Sequence, residues 1–144
     1  MKATFGAGCF WGIEESFDKV KGVTSSLVGF MGGVTKNPSY NDVCTGATGH
    51  TEVVFLDFNP KVVSYEELLK VFFNIHDSTQ LNKSQYKSVI FYHNESQRVK
   101  AVGYKSDLVK SGLRVVTEVL PASVFYKAEE YHQKYYKKNG GSCL

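Results

Sequence analysis

The period of the hydrophobic positions changes along the chain, and each change marks an element. Lys2 to Phe5 reads as a short strand. Phe10, Ile13, Phe17 and Val20 then recur at the spacing of one helical face, which predicts a helix from about Phe10 to Val20. Glu14 and Glu15 suit its first half and Lys19 and Lys21 its end, by the helix dipole, and Gly22 stops it. Val23 to Met31 returns to strand character. Gly32-Gly33 and Asn37-Pro38-Ser39 signal a turn-rich loop reaching about Gly49. Thr51 to Phe58 alternates, placing Glu52 on the face of Val54, Leu56 and Phe58. Ser64 and Glu67 form a capping box, with Val63 and Leu68 as a hydrophobic staple, and open a helix ending near His76. A polar connection from Asp77 to Gln85 leads to an apolar strand, Ser88 to Tyr92. Asn94 with Gln97 starts a third helix through about Lys110, weakened locally by Gly103 and ended by Gly112. Arg114 to Leu120 reads as a fifth strand, Ala128 to Lys138 as a last short helix, and Asn139 to Ser142 as a flexible tail before Cys143.

The order β-α-β-β-α-β with an appended helix, strand and helix suits an α+β, two-layer sandwich of ferredoxin-like type. The expected sheet is mainly antiparallel, with helices packed on one face and an extended C-terminal tail. No repeat or linker divides the sequence, so residues 1–144 are expected to form a single domain.

Composition narrows the function. The net charge is only +3, and the aromatic residues, 14% of the chain, do not interleave with a basic run. Lys134, Lys137 and Lys138 read as a solvated helix face, so no nucleic-acid partner is expected. No apolar run approaches the roughly 20 residues of a membrane span, so no membrane association is expected. Met1 to Phe5 has no secretory h-region, and three cysteines, an odd number, argue for a reducing, cytoplasmic setting. Each cysteine is therefore a candidate for chemistry.

Gly6-Ala7-Gly8-Cys9-Phe10-Trp11-Gly12 places a cysteine at a strand-to-helix junction. Unpaired backbone N–H groups there favour a thiolate, the nucleophilic form. Flanking glycines leave the sulfur open, and Phe10 and Trp11 put aromatic surface beside it. The bland alternative is a buried cysteine beside a core aromatic pair. Glu52 faces the way its apolar neighbours face; desolvation would raise its pKa and keep it protonated, whereas a solvated strand-end glutamate is the plain alternative. His50 could act as a base on Cys9 in a cysteine-histidine acyl hydrolase, or simply orient its loop or Glu52. His76 reads as a helix C-terminal residue, His93 as a turn residue and His132 as a surface or packing residue. Phe10, Trp11 and the tyrosines could alternatively form a cage for a methylated cation. Cysteines 9, 44 and 143 lack paired metal-ligand spacing, so no metal is expected.

Gly8-Cys9-Phe10-Trp11-Gly12 resembles the signature of the peptide methionine sulfoxide reductase A family. Tyr40 through Glu52, with Val43-Cys44 and Thr48-Gly49-His50, resembles that family's second block. His76-Asp77 with Gln85-Tyr86-Lys87-Ser88 resembles a third, and Tyr131 to Tyr135 with Lys138-Asn139 and Cys143 a fourth. The resemblance implies reduction of methionine S-sulfoxide, free or in oxidised proteins. Cys9 would attack the sulfoxide sulfur, Glu52 would protonate the oxygen with help from Tyr40 and Tyr86, and Phe10 and Trp11 would hold the methyl group. Cys9 would become a sulfenic acid and condense with Cys143, the resolving thiol. Cys44 matches a family cysteine that generally does not resolve, and is expected to pack in its loop. No bound cofactor is implied, only an external thiol reductant of thioredoxin or glutaredoxin type. One departure stands out: the stretch before Gln85 is shorter than the family's and lacks its aspartate, whose role passes neither to Asp77 nor to Asp42. Ser78 and Lys87 also replace a usual proline and arginine.

Overall fold

The computed structural model describes residues 1–82 and 84–134. It is an α+β fold built on a mixed six-stranded sheet: β1 (Lys2–Ala7), β2 (Val23–Met31), β3 (Thr51–Phe58), β4 (Ser88–Tyr92), β5 (Glu118–Pro121) and β6 (Tyr126–Lys127). Four helices accompany it: α1 (Phe10–Asp18), α2 (Tyr40–Cys44), α3 (Tyr65–Asn74) and α4 (Glu95–Lys110). The strand order is β5-β4-β1-β3-β2-β6. β1 pairs antiparallel with both β3 and β4, and β2 with both β3 and β6.

The sheet is thus mainly antiparallel, and β5 is its one parallel member among the described residues. It runs parallel to β4, with Val89 opposite Glu118 and Phe91 opposite Leu120. The cause is the long α4 crossover between them, which returns the chain to the end from which β4 began. β5 is also shorter than its apolar pattern suggests, because the segment before it is tied elsewhere: Val116 N–H donates to the Ser78 carbonyl at 2.8 Å.

Phe5, Val54, Leu56 and Ile90 on one sheet face pack with Ile13 and Phe17 of α1, Leu68, Leu69 and Phe72 of α3, and Ala101 of α4. Met31, Val53, Val89 and Phe91 on the other face are covered by Leu120 of β5 and by Ala122 and Phe125 of the return between β5 and β6. The predicted capping box at Ser64 and Glu67 is present. Asn94 accepts from Gln97 N–H, and the buried Gln97 amide donates to Lys2 O at 2.7 Å. His76 is more than a dipole partner. Its Nδ1–H donates to Phe72 O, and its Nε2 accepts from Ser88, whose hydroxyl also meets Thr117.

The loop expected between residues 32 and 49 contains α2, capped by Ser39 and Asp42 in a second reciprocal capping box. The predicted helix over 128–138 is not formed in its described part. β6 ends just before it, at Lys127, and a single 3-10 turn at Glu130–His132 stands in its place. Gln133 explains the change: its amide accepts from Val28 N–H and donates to Val28 O, serving as a short extra rung on the edge of β2. The tail with Cys143, and its expected extension, lies outside the described residues.

Gly33 is packed so closely that an added Cβ would strike the His50 and Thr48 backbones. Gly33→Ala should therefore lower unfolding free energy by about 1–3 kcal/mol in denaturant titration. An unchanged midpoint would mean that the loop yields freely.

Candidate active site

Cys9 is the N-cap residue of α1, in extended conformation (φ −61°, ψ 121°), and its thiol is half-buried. Gly8 before it has φ +95°, a left-handed conformation that disfavours a side chain. This bend turns the chain out of β1 and leaves the thiol only half-buried. The first helical amide, Phe10 N–H, donates to Glu52 Oε1 at 3.2 Å. Glu52 reaches it from the start of β3, where Thr51 and Glu52 pair with Met31 and Phe30 of β2. The nucleophile candidate and the acid candidate are thus one residue apart through a hydrogen bond.

Glu52 is 1% exposed. Burial pushes its pKa up to about 7, against the opposing pulls of the Phe10 amide and the Gln85 side chain. Its Oε2 is buried with no hydrogen-bond partner among the described residues. Protonated, that oxygen is a donor in search of an acceptor.

Tyr40, at the start of α2, and Tyr86, in the 3-10 turn before β4, lie close enough to act on one another's ionisation. Both are raised above the ordinary tyrosine pKa, first by burial; the nearby Glu52 charge acts in the same direction. Both therefore remain O–H donors at neutral pH. The charge of Cys9 also reaches Tyr86, which places the sulfur and the hydroxyls in one electrostatic neighbourhood. Glu129 Oε1 accepts from Tyr40 N–H at 3.1 Å and so holds the start of α2.

Phe10, Val28, Phe30, Val43 and Ala128 form a small apolar cluster with Trp11 and Tyr40 on its margin. Phe10 is fully buried and underlies the site, while Trp11 is half-buried and presents its surface. The sequence brought these residues to notice, and it named three others without giving them this place beside the site. His132 is 1% exposed, so of the surface and packing alternatives it is the packing one that holds, and its Nδ1 accepts from Trp11 Nε1–H at 3.0 Å. Gln85 is buried, and its Nε2–H lies 3.6 Å from Cys44 Sγ. Cys44 is exposed rather than packed in its loop, and it stands one helical turn after Tyr40 in α2. The Ser39-x-x-Asp42 pattern could have revealed the helix that sets this i, i+4 pair. No local pattern reveals that His132 meets Trp11, which lies more than a hundred residues away in sequence.

His50 is remote from this chemistry. Its Nδ1 accepts from Gly33 N–H at 3.0 Å, and Nε2–H therefore donates to Thr35 O at 2.7 Å. Both nitrogens are used in holding the loop, which leaves none to act as a base on Cys9. Asp42 caps Ser39, and Asp77 accepts from Thr79, so neither reaches the site. Among the described residues no three His, Cys, Asp or Glu side chains cluster as a metal group, and no helix is long and apolar enough to cross a membrane.

Comparison with known proteins agrees in both sequence and shape. A family model described as peptide methionine sulfoxide reductase matches residues 1–143. A relative named peptide methionine sulfoxide reductase MsrA, from Methanothermobacter thermautotrophicus, is 56% identical, covering 96% of this chain and 87% of that one. The MsrA of Acidobacterium capsulatum is 49% identical, covering 96% and 95%. Reduced Mxr1 from Saccharomyces cerevisiae superposes with a TM-score of 0.93 at 33% identity, covering 100% of this chain and 88% of that one. Mxr1 in complex with Trx2 superposes with a TM-score of 0.70 at 27% identity, covering 99% and 85%. With a match this long, the cysteine at the helix cap and the buried carboxyl beside it have a common source: the chain belongs to the peptide methionine sulfoxide reductase family.

Proposed function

We propose that this chain reduces methionine S-sulfoxide, free and peptide-bound, to methionine, with residues 1–144 acting as one catalytic domain of ferredoxin-like type. The observation that carries this reading is the buried Glu52 carboxyl hydrogen-bonded to the amide next to Cys9. Sulfoxide reduction needs a nucleophile for sulfur and a proton for oxygen at adjacent points, and this pair supplies both.

The helix N-terminus favours Cys9 as thiolate. The thiolate attacks the sulfoxide sulfur while Glu52 delivers its proton to the oxygen, and the Tyr40 and Tyr86 hydroxyls donate hydrogen bonds to that oxygen as its negative charge grows. A donor placed this way contributes about 3 kcal/mol to such a step. Trp11, supported from behind by Phe10, packs on the substrate methyl group. Methionine departs and the oxygen remains on Cys9 as a sulfenic acid. The Cys143 thiol then attacks the Cys9 sulfur, water leaves, and a disulfide forms. An external dithiol of thioredoxin or glutaredoxin type exchanges with that disulfide and restores both thiols. The Trx2-bound form of the yeast relative supports a thioredoxin-like donor. The reaction calls for no bound cofactor, and its need for reduced thiols suits a cytoplasmic setting.

The direct test is mass spectrometry after each sulfoxide epimer is added to reduced protein without reductant. The S epimer should yield about one methionine per chain and a Cys9–Cys143 disulfide. Turnover of the R epimer alone, or of neither, would overturn the assignment. Cys143→Ser should keep the single burst of methionine yet fail in steady state with thioredoxin. Full steady-state turnover in that variant would remove Cys143 from the cycle.

Glu52 also makes a stability prediction. Its proton is held more tightly in the folded chain (pKa about 7) than at the ordinary value of 4.5. The resulting stabilisation is fully present below the ordinary value and is lost as pH rises toward 7. Glu52→Gln removes the ionisation and should stabilise the fold at pH 8 by up to about 3 kcal/mol. That gain should vanish near pH 4, as read by thermal melts at both pH values, while methionine release slows about a hundredfold or more. A variant less stable at pH 8 would show that the native carboxylate is favourably solvated.

A further inference from the structure

Trp11 is the only tryptophan in the chain, and His132 receives its indole N–H. An indole nitrogen can only donate, so His132 Nδ1, 3.0 Å away, must carry a lone pair and the neutral ring must hold its proton on Nε2. The imidazole lies 5.5 Å from the Trp11 ring at 27° and packs against Phe10 at 5.3 Å and Tyr40 at 4.4 Å between centroids. It is thus wedged among the aromatic residues assigned above to the substrate methyl group and the sulfoxide oxygen. Gln133 and Lys134 fix it from behind. Gln133 pairs with the β2 edge, and Lys134 N–H donates to the buried Glu14 carboxylate at 2.6 Å while its ammonium meets Asp18 at 2.9 Å.

We propose that His132 is a positioning residue whose neutral imidazole, by accepting the Trp11 indole N–H, holds that ring in the orientation that receives the substrate methyl group. The proposal rests on the sulfoxide-reductase reading only for what Trp11 touches. The bond itself carries a pH signature. An imidazolium has N–H at both nitrogens and no acceptor. Protonation of His132 therefore sets two donors against each other and releases the indole.

The groups facing the ring decide when this happens. Tyr40 of α2 and the neighbouring Tyr131 are both raised above the ordinary tyrosine pKa and stay neutral in acid. Glu129, in the adjoining segment, favours the imidazolium, but burial is the larger influence and lowers the His132 pKa from 6.5. The indole is therefore held at neutral pH and freed on the acid side.

Because the tryptophan is unique, its fluorescence reads this bond without any turnover. Three full-length proteins decide the matter: the native chain, His132→Asn and His132→Phe. The Asn Oδ1 stands as many bonds from Cβ as the His Nδ1, so it can accept the indole N–H but cannot titrate. Phe keeps a ring and loses the acceptor. The native chain should show an emission transition with midpoint below pH 6.5, and His132→Asn should lack it. At neutral pH, KM for a methionine sulfoxide peptide should rise about five- to tenfold in His132→Phe, with kcat changed less, and return to within about twofold of native in His132→Asn. A transition that persists in His132→Asn, or an equal KM in the two variants, overturns the proposal. A native chain that shows the transition but reduces no sulfoxide supports the bond and refutes the reductase reading instead.

Discussion

A carboxyl group at 1% exposure, with one oxygen on a helix-terminal amide and the other without a hydrogen-bond partner among the described residues, is the interaction on which this site depends. Taking a carboxylate out of water is so unfavourable that the group keeps its proton to about neutral pH. The rest of the architecture maintains that desolvation. β3 brings Glu52 in beside β2, and β1 ends in a glycine bend that delivers the Phe10 amide to it. α2 and the turn before β4 close over it with two tyrosines. The same amide fixes Cys9, so the placement of the acid and of the nucleophile is a single structural fact.

The arrangement also separates two tasks that the sequence presents side by side. Phe10 and Trp11 are neighbours, yet Phe10 is wholly buried and packs against Phe30, Tyr40 and His132, whereas Trp11 turns its surface outward. A helix divides consecutive residues between its faces in this way. The buried ring sets the position of the exposed one. His132, Gln133 and Lys134 bind respectively to Trp11, to the edge of β2 and to α1. They secure the last described segment of the chain against the wall of the site.

Much of the fold was legible in advance because its determinants are local. The 3.6-residue spacing of Phe10, Ile13 and Phe17, the alternation across Thr51–Phe58 and the Ser64–Glu67 box depend on near neighbours, and all three elements stand where these patterns place them. The misreadings share a cause in long-range pairing. Residues 128–134 have helical composition, but a Gln133 amide on the β2 edge and a left-handed Lys134 (φ 55°) make a turn of them. β5 reads as a strand without regard to direction, since direction follows from the α4 crossover and not from its side chains. α2 escaped notice although its capping pattern was visible, because five residues are too few to show a periodicity.

The sequence alone determined which chemical groups are present and which elements carry them: a cysteine at a helix start, a glutamate on an apolar strand face, and two blocks that identify the family. It could not say that these groups meet. That decision belongs to the tertiary structure, because only the pairing of β1, β2 and β3 sets Glu52 against the Phe10 amide, and only the return of the chain at residue 132 supplies an acceptor for the indole. Composition and period specify what each segment is. Burial, hydrogen-bond direction and protonation state arise between segments and exist only once the chain has closed upon itself.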